Sequence, residues 1–222
     1  MKLGDARRRI EAWDEKGRWV WTTSDLAHVF PDASNGAVRS TLLRLVNAGV
    51  ARRACRGVYV TNGAASADAW LLDHVAAVLR RGHPTYLSLE AALHEHGAIS
   101  QVPTVRTFMT TGRRGWIPVG AGVVEFVHTK QSAESIARRT IDSTPLRRAT
   151  LETAWEDLQR VGRNLSMVDM DEARELARWE AEAFGDVVEA TPTKRAERSP
   201  ERASGGLPGE GMAPKPVDNS RG

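Results

Sequence analysis

The feature that most limits how this chain can fold is a compact pattern of elements between residues 19 and 60. A β-prone run, Trp19-Val20-Trp21, precedes a short helical pattern that Pro31 ends. After a turn rich in Asp, Ser and Asn, a second helix is predicted from about Ala37 to Ala48, and Gly49 stops it. The spacing predicts two helices joined by a tight turn, with a hairpin after them.

The second helix has an apolar and a polar side when its residues are placed at 100° intervals. The polar side is predicted to carry Ser40, Thr41, Arg44 and Asn47. Arginine and asparagine can form paired hydrogen bonds with guanine and adenine edges in the major groove of DNA. We therefore expect these four residues to face DNA.

The hairpin predicted over residues 50–60 is basic, with Arg52, Arg53 and Arg56 near its tip. A helix-turn-helix followed by such a hairpin is the winged-helix plan, in which the second helix reads the major groove and the hairpin contacts phosphates. The same arginines also fit a solvated sheet edge that resists pairing with other sheets. Both interpretations remain open at this point.

The charge distribution favours a polyanion partner for the first part of the chain. Residues 1–61 hold 11 Lys or Arg against 6 acids, whereas residues 131–189 hold 8 against 13. The single cysteine, Cys55, cannot form an internal disulfide or a multi-cysteine zinc site. Because no run of about 18 apolar residues occurs, we expect no membrane span, no signal peptide and a cytoplasmic protein.

The sequence as a whole predicts an α+β fold, and the chain divides into three parts. Residues 1–61 form the winged helix-turn-helix domain, and residues 62–189 form a mixed domain of helices and a small sheet. Residues 190–222 contain 10 Pro or Gly and few larger apolar side chains, so they are predicted to be disordered. The elements predicted in the second part are helices at 67–81, 89–96, 151–161 and around 176–184, and strands at 105–110 and 123–128.

Two details of the second part are expected from local pattern alone. Ser88 is a good cap for the helix that follows it. The acids of the last two helices, including Asp157, are expected to form a solvated outer side.

No catalytic or metal constellation is found in the sequence. The imidazoles of His94 and His96 lie about 200° apart around a helix, so they cannot share one ion. A nuclease needs clustered carboxylates beside a lysine, but Glu125 and Lys130 fall on opposite faces of their strand. We expect no enzyme activity, no metal and no cofactor.

Four segments resemble the AbiEi antitoxins of type IV toxin–antitoxin systems, over about residues 19–185. They are WTTSDLAHVF, AVRSTLLRLVNAGVARRACRGVYV, YLSLEAALHEHGAISQVPTVRTFMTTGRRG and TPLRRATLETAWEDL. The resemblance implies a winged helix that binds repeats at its own promoter and a second domain that counteracts a nucleotidyltransferase-like toxin. The chain departs from the family at Pro145-Leu146-Arg147, where a proline-glutamate pair is usual, and in its long tail.

The same resemblance assigns residues to the two activities. Ser40, Arg44, Arg52, Arg53 and Arg56 match the family's DNA-facing elements, and Arg113 and Arg114 match the basic strand loop of the antitoxin domain. Two alternatives remain: a stand-alone regulator whose second domain senses a small molecule, and a divergent DNA nuclease.

Overall fold

The computed structural model describes residues 2–120 and 122–188, and residues 1–183 form one compact unit. The described residues contain eight α-helices, one 3-10 turn and two β-sheets. This confirms the prediction of a mixed fold of helices and sheets. The tail predicted to be disordered, residues 190–222, lies outside the described residues.

The first part of the chain folds around a three-stranded antiparallel sheet. Its elements are α1 (Leu3–Asp14), β1 (Val20–Thr22), α2 (Thr23–Val29), α3 (Asn35–Asn47), β2 (Ala51–Cys55) and β3 (Val58–Thr61). The strand order is β1-β3-β2. α1 buries Ala6 and Ile10, which lie at the centre of its apolar side, and this burial stabilises the helix.

Side-chain caps fix where the next two helices begin. Thr22 and Asp25 form a capping box, in which the Thr22 hydroxyl accepts from the Asp25 amide and the Asp25 carboxylate accepts from the Thr22 amide. The Ser34 hydroxyl accepts from the Ala37 amide, so α3 begins at Asn35, two residues earlier than the sequence predicts. These two caps define the turn between α2 and α3.

The second part is built on a six-stranded mixed sheet. Its elements are α4 (Leu71–Leu79), β4 (Thr85–Leu87), α5 (Leu89–Glu95), β5 (Val105–Thr110), β6 (Gly115–Val119), β7 (Gly122–His128), α6 (Ala133–Arg139), β8 (Thr140–Ile141), β9 (Arg147–Ala149), α7 (Leu151–Val161), a 3-10 turn (Leu165–Met167) and α8 (Met170–Val188). The strand order is β6-β7-β5-β4-β9-β8. The pairs β5–β7 and β4–β9 are parallel, and the other pairs are antiparallel.

The structure corrects several sequence expectations for this part. α4 begins at Leu71 rather than at residue 67, because the Asp68 carboxylate accepts from the Trp70 amide and holds a turn before the helix. Ser88 occupies the cap position of α5, but its hydroxyl donates to Asp157 instead of capping. Asp157 itself is fully buried and does not belong to a solvated side.

The hydrophobic core continues between the two predicted domains. The larger cluster of buried residues joins Trp19, Ala54 and Val58 to Val75 and Phe108. Polar contacts add to this, because the Asp14 carboxylate accepts from the Ala65 and Ser66 amides. Residues before and after position 61 therefore stabilise one another.

Among the described residues, no helix has the length and apolar character needed to cross a membrane.

Candidate nucleic-acid interface

α3 is anchored by its apolar side and leaves a polar side uncovered. Val38, Leu42 and Leu45 are buried in the smaller hydrophobic cluster, which also contains residues of α1 and α2. The exposed side carries, in chain order, Arg39, Ser40, Leu43, Arg44 and Asn47. Three of the four residues predicted for this side are therefore where the sequence places them.

Thr41 is the exception, because it is only 1% exposed. On a helical wheel it lies about 40° from the buried Leu45, on the flank of α3 that is covered by its neighbours. Its hydroxyl accepts a hydrogen bond of 3.0 Å from Arg44 Nη2. Thr41 thus holds the Arg44 guanidinium instead of facing solvent.

Two exposed residues of α3 were missed in the sequence. Arg39 adds a second cation to this side of the helix, and Leu43 is 63% exposed. An apolar side chain in such a position can contact the methyl group of thymine. The wheel that places Ser40 outward also places Arg39 and Leu43 outward, so this signal was present in the sequence.

The β2–β3 hairpin presents its arginines around a two-residue turn. Arg56 and Gly57 form the turn, and Gly57 has a φ of 78°, which favours glycine. Ala54 is the extra residue of a β-bulge between Arg53 and Cys55. Arg52, Arg53 and Arg56 are all exposed.

The hairpin turn lies against the beginning of α2. The Thr23 amide donates a hydrogen bond of 3.1 Å to the Gly57 carbonyl. The structure therefore brings the predicted phosphate-binding turn next to the first helix of the helix pair. In DNA-bound helix-turn-helix domains, that first helix crosses the DNA backbone.

Four arginines of this surface differ in their surroundings from most arginines of the second part. Within the described part of the chain, Arg39, Arg52, Arg53 and Arg56 form no ion pair. By contrast, eight arginines of residues 62–163 pair with acids, namely Arg81, Arg106, Arg138, Arg139, Arg147, Arg148, Arg160 and Arg163. The surface of α3 and the hairpin therefore keeps its positive charge.

One acid of α2, Asp25, is paired inside the protein. Asp25 pairs with Arg81 through both carboxylate oxygens. Burial alone would raise the pKa of Asp25, but hydrogen bonds from Arg81 and Thr22 outweigh it and lower that pKa to about 2. The Asp25 charge is thus balanced by Arg81 within the protein and does not repel a polyanion.

Arg113 and Arg114 lie in the β5–β6 turn and are exposed. With His83 and His128 they line a shallow cleft of about 600 Å³, and no carboxylate of the described part of the chain lines it. Arg80 lies behind them: its guanidinium is 3.8 Å from the centre of the Phe126 ring and donates to the Arg113 carbonyl. Burial and the Arg113 charge lower the pKa of Arg80, as expected where positive charge is not compensated.

A buried charged cluster in the second part was missed in the sequence. Arg163 donates to both oxygens of Glu90 and both oxygens of Glu125, over 2.7 to 3.0 Å. Asn164 also donates to Glu90. These residues come from α5, β7 and the segment after α7, so no local pattern could unite them. The one signal was a glutamate with apolar residues on both sides of it in the strand VVEFVH.

The residues considered for metal or nuclease chemistry are otherwise engaged. His94 Nδ1 lies 2.8 Å from the Ile99 carbonyl, and His96 Nε2 lies 2.9 Å from the Ala149 carbonyl. Residues 2–120 and 122–188 contain no group of three or more His, Cys, Asp or Glu that could hold a metal ion. Glu125 is buried against Arg163, whereas Lys130 is exposed.

Comparison with known proteins adds no assignment. No protein-family model matches the sequence, and no curated protein matches it. The resemblance to the AbiEi antitoxins therefore stays a prediction.

Proposed function

We propose that this protein binds duplex DNA through a winged helix-turn-helix formed by α2, α3 and the β2–β3 hairpin. The observation that carries the proposal is the exposed side of α3 beside a hairpin whose arginines have no acid partner among the described residues. In this arrangement α3 enters the major groove, where Arg44 and Asn47 contact base edges. Arg52, Arg53 and Arg56 contact phosphates.

The proposal extends to an antitoxin and transcriptional autoregulator of a type IV toxin–antitoxin system. The protein represses its own promoter by binding repeats there, and its second part counteracts the nucleotidyltransferase-like product of a neighbouring gene. Two features support this extension: the resemblance of the four segments, and the basic cleft at Arg113 and Arg114. Catalysis by this chain is not part of the proposal.

Binding of the full chain to the upstream region of its own operon tests the DNA-binding proposal. Fluorescence anisotropy is measured between about 50 and 200 mM salt, since each neutralised phosphate contributes a log–log slope of about −0.9. Arg53→Ala should weaken binding to all sequences and reduce the slope by about one phosphate. Arg44→Ala should instead cost roughly 1–3 kcal/mol and relax the preference at one base position.

Arg138→Ala is the matched control, because Arg138 is exposed on α6 and pairs with Glu134. It should leave both the affinity and the salt slope unchanged. If Arg138→Ala and Arg53→Ala weakened binding equally, the hairpin would have no special role. If Arg44→Ala and Arg53→Ala altered affinity in the same way for every sequence, α3 would not read bases.

A further inference from the structure

A cavity of about 330 Å³ opens beside the six-stranded sheet, and none of its lining residues belongs to α3 or the hairpin. Its polar residues include Glu90, Glu125, Arg163 and Asn164. Its apolar lining consists of Ile99, Val102, Pro103, Val105, Trp116 and Met167. An apolar cavity of this size with a few convergent polar groups is typical of a small-molecule site.

The polar floor of this cavity keeps one net negative charge. Glu90 and Glu125 are 8% and 5% exposed, and one guanidinium, that of Arg163, lies between their two carboxylates. Among the residues that the structure describes, no other charged side chain lines the cavity. A charge removed from water in this way interacts strongly with a ligand of opposite sign.

Glu125 has acceptor positions that the protein leaves open. A carboxylate offers about four lone-pair sites. Within the described residues each Glu125 oxygen accepts one hydrogen bond, and both bonds come from Arg163. Glu90, by contrast, also accepts from Asn164. A donor group in the cavity would therefore complete the hydrogen bonding of Glu125.

An aromatic side chain stands beside this carboxylate. Trp116 of β6 is the register partner of Glu125 on β7, so the two side chains share one face of the sheet. Trp116 is 61% exposed although it lines the cavity. The face of an indole ring attracts cations, and its effect adds to that of the carboxylate.

From this combination we infer that the cavity binds a small organic cation, an amidinium or ammonium group carried on a flat apolar body. The charged group donates to Glu125, and the flat body lies against Trp116 within the apolar lining, which includes Val102 and Met167. Such a site supplies the ligand chemistry for the small-molecule-sensing alternative. It does not depend on DNA binding.

Three probes of nearly equal size and shape test the inference: benzamidinium, benzamide and benzoate. Calorimetry with the full chain measures their affinities, and the indole N–H signal of Trp116, assigned with Trp116→Phe, locates the site. Benzamidinium should shift this signal to saturation and bind at least about tenfold more tightly than benzamide, because its hydrogen bonds are charge-assisted. Benzoate should not bind. Equal affinity for benzamidinium and benzamide, or an unshifted Trp116 signal, would overturn the inference.

Variants then separate the two parts of the site. Trp116→Ala should lower the benzamidinium affinity about fivefold. Trp179→Ala, which removes a 57% exposed tryptophan outside the cavity lining, should leave it unchanged. Glu125→Gln keeps the shape of the floor and removes its net charge, so the preference for benzamidinium over benzamide should disappear. Thermal unfolding confirms that each variant is folded. If Glu125→Gln does not fold, the three probes and the two tryptophan variants still test whether the cavity binds the cation.

Discussion

Asp157 shows how one buried side chain organises the centre of the second part. It is fully buried, and its Oδ2 accepts hydrogen bonds of 2.8 Å from both the Tyr86 hydroxyl and the Ser88 hydroxyl. Arg160 pairs with the other oxygen. Burial, together with the Asp157 charge, raises the pKa of Tyr86 well above its usual value, so the phenol remains a donor.

Removal of that donor should destabilise the protein. Tyr86→Phe should lower the free energy of unfolding by roughly 1.5–3 kcal/mol, because a buried carboxylate loses a hydrogen bond. Tyr59→Phe is the control: Tyr59 is half-buried, and its hydroxyl makes no hydrogen bond among the described residues, so its change should stay within about 0.5 kcal/mol. Urea unfolding measures both. If both variants lost the same free energy of unfolding, the hydrogen bond from Tyr86 to Asp157 would make no specific contribution to stability.

At the scale of elements, the pairing of Asp25 with Arg81 joins the beginning of α2 to the turn that follows α4. The folded pKa of Asp25 is about 2, below the ordinary 3.8, so the folded state holds a proton less tightly than the unfolded state. The resulting stability, about 2 kcal/mol, is present above about pH 4 and is lost as the pH falls towards 2.

Asp25→Asn should therefore be less stable than the natural chain at pH 5, and the difference should shrink between pH 4 and pH 2. Chemical unfolding across this range measures it. Asp32→Asn is the control, since Asp32 is exposed and has no ion pair within the described residues. A difference that did not change with pH would show that the negative charge of Asp25 does not contribute to stability.

Helices and strands whose apolar residues recur at regular spacing could be predicted from the sequence. Elements that depend on contacts with residues far away in the sequence could not. α3 and the hairpin follow from apolar spacing and glycine positions within one short segment, Asn35–Thr61. β8 and β9 have two and three residues, too few to show alternation, and β6 contains Pro118, which its place at the sheet edge allows. The Glu90–Glu125–Arg163 cluster was unpredictable because its members meet only through the sheet.

At the scale of the whole molecule, the shared core decides how the two proposed activities can be separated. Trp19, from the first part, packs in the larger cluster, and its ring centre lies 5.0 Å from that of His74. A fragment that begins at residue 62 would expose the surfaces that Trp19, Ala54 and Val58 cover. Point variants of the full chain are therefore the appropriate test, rather than isolated domains.

The last prediction uses two charge reversals, Arg113→Glu with Arg114→Glu and Arg52→Glu with Arg53→Glu. All four residues are exposed, so each reversal should change stability by no more than about 0.5 kcal/mol per site. The neighbouring nucleotidyltransferase-like toxin is expressed from an independent inducible promoter, which removes repression as a route to protection. Growth and operator binding are then measured together. The Arg113/Arg114 variant should bind the operator and fail to restore growth, because the substitutions reverse the charge that the cleft presents to the toxin. The Arg52/Arg53 variant should restore growth and fail to bind. If the natural chain did not restore growth under this promoter, control of transcription through α3 and the hairpin would be the whole function.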